Sequence, residues 1–504
     1  MPELGEIFAG RGVGAHRGWP RLEVDGAGWT VAGEALGQGR LTLLGLWGDD
    51  GPAVHLAVLD EAGGRAAVLT LACPDGGFPS IGRLHPPAIR PERTVQDLFG
   101  LVPARTPDPR PWLDHGRWGV RRPLGARADA PATGDAYAFL PAEGASLHQI
   151  PVGPVHAGII EPGHFRFTVN GETVVRLEAR LGYVHKGIEG LMRGASIARG
   201  ASLAGRISGD STVAYGLAYA RAVETALGVE PPPRAVLLRA LMAELERLAN
   251  HLGDIGAICN DAAFALMLAH CGVLRERVLR AADTAFGHRL MRDRIVPGGI
   301  AVDPGAEGVA AIRSLVAEIR ARFPELVDLY DNTASLQDRT VASGIVDPAL
   351  ARQYGAGGYV GRAAGRAFDA RRALPYAPYD SLSFEVPVLE EGDVNARVWI
   401  RIREVEQSLS LVDQILDRLR DGLLRAPVEP VGEPREAASM VEGFRGDVLV
   451  WLRIGADGRI ERCHPRDPSW FQWPLLEAMI ENNIVADFPL CNKSFNCSYS
   501  GHDL

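Results

Sequence analysis

Between residues 199 and 424 apolar residues recur with the helical period over several long segments, and this limits what the chain can fold into more than any single motif does. Arg199 to Leu227 is one such segment. Arg234 to Ile258 is a second, placed behind Pro231-Pro-Pro233, a start signal because proline loses no hydrogen bond in the first turn of a helix. Leu266 to Arg289, Val309 to Leu329 and Asn395 to Leu424 continue the pattern. Amphipathic helices of this length bury their apolar stripes on one another, so the expected core is a helical bundle with site residues pointing inward.

Outside these segments the period shortens. Phe165 to Leu177 reads as a hairpin turning at Asn170-Gly171, and Val448 to Ile454 beside Ala456-Asp-Gly458 as a strand and turn. Leu41–Leu46, Ala53–Leu59 and Ala67–Leu71 are short apolar runs between Gly-rich turns, which predicts strands in the first 80 residues. Residues 125–150 are rich in Ala, Pro and Gly and read as a linker. The expected class is α+β: a small α/β domain over residues 1–124, then a mainly helical-bundle domain with peripheral β hairpins over 151–504.

A net charge of −9 gives no general basic footprint, so no nucleic-acid partner is expected. No apolar run of about 18 residues occurs, and the N-terminus lacks the charged and apolar regions of a signal peptide. The cysteines, at 73, 259, 271, 463, 491 and 497, form no C-x-x-C pair, so the chain alone is expected to bind no iron–sulfur cluster. A cytoplasmic chain follows as the expectation.

Ser208 with Ser211, and Cys497 with Ser500, are two pairs of small side chains at i and i+3, which share a face on a helical turn. Four thiolates in this arrangement would select a soft metal. A serine hydroxyl is a neutral alcohol at pH 7, so three serines and one cysteine make a poor soft-metal site.

The blocks Gly153-Pro-Val-His156, Glu161-Pro-Gly-His-Phe-Arg166, Tyr183-Val-His-Lys-Gly-Ile-Glu189 and Arg206-Ile-Ser-Gly-Asp-Ser211 resemble the large subunit of group 4 [NiFe] hydrogenases and its relative, the 49 kDa-type subunit of respiratory complex I. Glu244 to Asp254, Pro297-Gly-Gly299, Tyr379-Asp380 and Gly392-Asp393 extend the resemblance, which runs from about Gly153 to the C-terminus. The resemblance implies that Ser208, Ser211, Cys497 and Ser500 stand where the hydrogenases carry NiFe cysteine ligands, so no NiFe centre is expected. Pro91 to Leu101, with Pro107-Asp-Pro-Arg110, resembles the 30 kDa-type subunit of complex I, in which Glu92, Asp97 and Arg110 would be docking residues.

What the family implies is a subunit of a membrane-associated, energy-converting oxidoreductase complex, peripheral on the cytoplasmic face of the inner membrane. Its partners would be a small [4Fe–4S] subunit of the complex I 20 kDa type, a ferredoxin-like subunit and antiporter-like membrane subunits. The chain would form the terminal redox chamber beside the partner's cluster, lined by Glu189, Arg206, Arg362 and His164. Glu189 would carry protons, with a pKa raised by burial, or else form a structural ion pair with Arg206 or Arg362. Either His156 or His164 would approach quinone. A zinc site from Cys497, His502 and Asp503 is disfavoured, because adjacent residues rarely point at one metal. Gly355-Ala-Gly-Gly358 lacks a nucleotide-binding pattern. A genuine [NiFe] hydrogenase subunit and a non-catalytic scaffold are the competing readings.

Overall fold

The computed structural model describes residues 8, 10–125, 137–156, 158 and 160–504. The bundle is present. Its long helices are Thr212–Leu227, Pro233–Asp261, Ala265–Phe286, Gly305–Asp331 and Val394–Arg418. Pro233 opens the second of these, as the triple proline predicts, and the helix runs for 29 residues. Asp393 caps the last, its carboxylate accepting from Ala396 N at 2.7 Å.

One expected helix is broken. In place of a single helix from Arg199 to Leu227, Ile197–Ala204 and Thr212–Leu227 are separated by a turn over residues 205–211. Two glycines, Gly205 and Gly209, weaken helix within that turn, and the serines and Asp210 spend their side chains on local hydrogen bonds. The second helix starts anew because Glu246 of the neighbouring helix caps it, accepting from Val213 N at 2.7 Å and Ala214 N at 3.0 Å.

The first hundred residues form a five-stranded sheet in the order Arg11–Gly12, Arg21–Val24, Arg65–Ala72, Ala53–Asp60, Thr42–Asp49. A four-stranded sheet near the C-terminus runs Ile460–Arg466, Gly446–Ile454, Arg435–Gly443, His16–Arg17. Its last strand therefore comes from the other end of the chain, pairing in parallel with Glu436 and Ala437. Leu44, Trp47 and Leu59 of the first sheet share an apolar seam with Met440, Leu449 and Trp451 of the second. Arg453 crosses the same seam to Asp49, at 2.7 and 3.0 Å. The two halves are thus joined by strand pairing and a common core.

The hairpin forms where expected, His164–Asn170 against Thr173–Arg180, and Leu147–Val152 adds a third strand beside it. The end of the expected linker is therefore strand, and residues 126–136 lie outside the described residues. Glu92 and Asp97 are docking residues for their own chain: Glu92 accepts from Ser80 Oγ at 2.7 Å and Gly82 N at 3.1 Å, and Asp97 from Trp112 N and Leu113 N at 2.7 and 2.8 Å. Arg110 reaches across to Glu178 at 2.5 Å. Among the described residues no helix is long and apolar enough to cross a membrane.

Candidate functional site at the turn between residues 205 and 211

The C-terminal tail returns to the broken helix. The helix Phe488–Phe495 ends at Asn496 in a left-handed conformation, and the chain then turns inward. Ser208 Oγ lies 2.9 Å from Ser498 Oγ, so the residue that meets the turn is the neighbour of Cys497. Ser498 is fixed in turn by Ser469 Oγ, which accepts from its N–H at 2.8 Å, and by Trp473 Nε1, which donates to its carbonyl at 3.3 Å. Cys497 is buried 4.0 Å from Gln472 Oε1, and burial pushes its thiol well above the ordinary range despite the nearby Arg445. It is a protonated, packed side chain at neutral pH. Ser500 sits at the rim, where its N–H donates to Glu161 at 3.0 Å and its carbonyl accepts from Lys186 Nζ at 2.9 Å.

Arg445, which sequence reasoning missed, dominates the turn together with Asp210. Arg445 clamps Asp210 with both terminal nitrogens, at 2.7 and 2.5 Å, and one of them also reaches Ser211 Oγ at 3.2 Å. Arg445 Nε donates to Asn496 O, tying the pair to the tail. Ser208 and Ser211 both donate to Asp210, at 2.8 and 3.2 Å. Burial raises the Asp210 pKa, but Arg445 and the hydroxyls outweigh it and hold the carboxyl down at about 2. The glycine-rich stretch 355–358 has its use here: Gly358 has φ of 60°, and a Cβ on it would lie 2.0 Å from Arg445 O. Only glycine lets that backbone approach the arginine.

This donor set does not fit a NiFe centre. The hydroxyls bond to each other and to a carboxylate, only one of the four positions carries a thiol, and a guanidinium lies within hydrogen-bond distance of Ser211.

Glu189, Arg206 and Arg362 do not share one chamber. Glu189 pairs with Arg462 at 3.3 Å and His464 at 2.6 Å, not with either expected arginine. Arg462 and His464 are two apart on a strand and therefore face the same way, a signal that was present in the sequence. Burial pushes the Glu189 pKa up, yet Arg462 and His464 more than offset it and the net shift is downward, the reverse of the expectation. Arg206 is exposed and paired with Asp293 at 2.7 Å, because the turn carries it outward while Ser208 points inward. Arg362 is fully buried against Glu404 at 2.6 Å and Glu442 at 2.8 Å, within a charge network that includes Asp369, Arg371, Glu244 and Arg247.

The histidines differ in what their rings have free. His164 Nδ1 bonds Gly153 O at 2.9 Å and its Nε2 accepts from Arg166 at 3.3 Å, so both nitrogens are engaged. His156 Nδ1 accepts from Gly158 N at 3.1 Å, while its Nε2 is buried with no partner among the described residues. The tail links this loop to the interior through the Glu161–Ser500 bond. The motif of residues 183–189 grips the tail from the other side: Val184 N donates to Asp503 at 3.1 Å and His185 Nδ1 bonds the Asp503 carbonyl at 2.6 Å.

Residues 261–437 match the family described as respiratory-chain NADH dehydrogenase, 49 kDa subunit. Formate hydrogenlyase subunit 5 of Escherichia coli (strain K12) is 33% identical over 440 residues, 84% of this chain and 77% of that protein. The carbon monoxide-induced hydrogenase of Rhodospirillum rubrum is 32% identical over 356 residues, 70% of this chain and 98% of that one. Among solved structures, a chain of the membrane-bound sulfane sulfur reductase, an archaeal respiratory membrane complex, superimposes with a TM-score of 0.67 at 27% identity, covering 71% of this chain and 99% of that one. With the bundle, the returning tail and these matches in hand, the chain belongs to the family of oxidoreductase-complex subunits that unites the complex I 49 kDa type with the large subunits of group 4 hydrogenases.

Proposed function

We propose that this subunit forms the terminal redox chamber of an energy-converting membrane complex and works there without a NiFe centre, passing electrons from a [4Fe–4S] cluster on a small partner subunit to a non-hydrogen acceptor. The observation that carries this reading is the contact of Ser208 with Ser498, around which hydrogen-bonded hydroxyls and the Arg445–Asp210 pair occupy the convergence of turn and tail. Partners of the ferredoxin-like and antiporter-like kinds, and a peripheral place on the cytoplasmic face of the membrane, go with the same proposal. His156 Nε2, which has no partner among the described residues, is the ring nitrogen to meet a quinone oxygen, and Arg445, already paired with Asp210, would hold the turn and tail in place beside the acceptor. The relatives' names point to different acceptors, protons for the hydrogenases and sulfane sulfur for the reductase, so the acceptor is a matter for assay.

The scaffold reading has one observation in its favour: Glu189, Arg362 and His164 are all fully committed to partners within the chain. Purification of the intact complex, with metal analysis and electron paramagnetic resonance of its clusters, separates the possibilities. Clusters that are reoxidised by added quinone, in a preparation without stoichiometric nickel and without hydrogen evolution, support the proposal. Stoichiometric nickel with hydrogen evolution restores the hydrogenase reading. Equal reoxidation rates after His156→Ala and Arg445→Gln, in a fully assembled complex, favour the scaffold.

A further inference from the structure

Among the described residues Arg221, on the Thr212–Leu227 helix, makes no hydrogen bond or ion pair. Its guanidinium carbon lies 4.5 Å from the centre of the Tyr376 ring, and its Nε is buried without a partner. The nearest acid on its own helix, Glu224, is already taken by Arg239, at 3.0 Å, and by Gly298 N, at 2.7 Å. Asp380 and Glu224 act on Arg221 from a distance, but neither is bonded to it among the described residues, and burial outweighs them and draws the Arg221 pKa below its ordinary value.

Arg221 lines a cleft of about 630 Å³ at the seam between the two halves of the chain. Residues 18–22 and 64–66 contribute from one half, and Arg221, Thr225, residues 374–375 and residues 438–440 from the other. The charged residues that line it are Arg65 and Arg221, both cationic, and no carboxylate joins them. Ser439 Oγ and Arg65 Nε, from two further elements of the same cleft, are likewise buried without partners among the described residues; the other arm of Arg65 is held by Asp60 at 2.9 Å. All three orphaned groups can donate. Trp19, Pro20, Leu22, Leu374, Pro375 and Met440 supply apolar and aromatic wall. The volume falls in the range of small-molecule sites, about 300–1,000 Å³.

We infer that this cleft binds a small organic anion, a carboxylate or phosphate carried on an apolar or aromatic body, with Arg221 as its counter-charge and Arg65 and Ser439 as further donors. The ligand would bridge the two halves of the chain, contacting each through one arginine. The inference stands apart from the redox chamber and survives the failure of that reading.

Isothermal titration of the full chain with phenyl phosphate, benzoate, inorganic phosphate and benzamide tests it. Phenyl phosphate and benzoate should bind, phenyl phosphate about tenfold more tightly than inorganic phosphate, and neutral benzamide should give no heat. Arg221→Met should weaken both aromatic anions at least about tenfold, and Arg65→Gln about threefold. Absence of binding by both aromatic anions, or equal affinity in wild type and a folded Arg221→Met, overturns the inference. Should Arg221→Met fail to fold, Arg65→Gln and Ser439→Ala decide it, and unchanged affinity in both is fatal. A second arm sediments the chain with vesicles of phosphatidylglycerol in phosphatidylcholine; Arg221-dependent pelleting without binding of the soluble anions would replace the small-molecule ligand by a lipid headgroup.

Discussion

Ser208 and Ser498, 290 positions apart in the chain, hold their hydroxyl oxygens 2.9 Å from one another. That contact closes an interior turn onto the tail through two alcohols.

Restoring the sulfurs tests the convergence itself. Ser208→Cys, Ser211→Cys and Ser500→Cys in one chain, with native Cys497, should bind cobalt(II) stoichiometrically and show thiolate charge-transfer absorption, helped by the nearby Arg445 cation. The wild-type chain should show none. Weak bands typical of oxygen ligation in the triple variant would mean that the four positions do not meet.

Arg362 holds the buried charge network together. Arg362→Met removes the guanidinium shared by Glu404 and Glu442, both buried, leaving His251 and Arg247 on the first and the Ala370 N–H on the second, and should cost about 3–5 kcal/mol of unfolding free energy. Urea denaturation of the purified chain measures it. A loss below about 1 kcal/mol would show that the carboxylates find other partners.

Glu189 carries a pH signature. Its carboxyl is held below the ordinary value of 4.5, so the ion pair contributes stability at neutral pH that is lost as pH falls through the lower folded-state value. Glu189→Gln should therefore be less stable than wild type at pH 7, by about 2 kcal/mol, and the difference should shrink as the medium is acidified below 4.5. A gap that widens on acidification contradicts the assigned ion pair with Arg462 and hydrogen bond with His464.

The two histidines should separate cleanly. His164→Ala removes the anchor between Gly153 and Arg166 and should lower the melting temperature with a modest effect on acceptor turnover. His156→Ala leaves stability almost unchanged and raises the acceptor's KM, because its free Nε2 binds no protein group among the described residues. The reverse pattern would return the acceptor role to His164.

Helix positions in the bundle were legible because each long helix carries its own period, with a local start signal at Pro233, and the hairpin because Asn170-Gly171 is a local turn signal. That the tail returns to Ser208 was legible, but the residue that meets it is Ser498, not a member of the Cys497 and Ser500 pair, because the left-handed turn at Asn496 sets which tail side chain points inward. The break at residues 205–211 was overridden by the apolar pattern on both sides of it, although Gly205 and Gly209 marked the place. Arg445, Arg462 and His464 were missed since their partners lie hundreds of residues away, at Asp210 and Glu189; the i,i+2 spacing of Arg462 and His464 shows that they share a face but not which acid they meet. The expected grouping of Glu189, Arg206 and Arg362 failed for the same reason: side-chain direction on a turn or strand is set by tertiary packing.

The short parallel pairing of His16 and Arg17 with Glu436 and Ala437, backed by Trp47 against Trp451, means that peptide continuity is not what keeps the N-terminal sheet in place. Expressed as two separate polypeptides, the pieces should find each other and reassemble. What a single gene product secures is equal copy number, so that no bundle is built without the sheet that covers it.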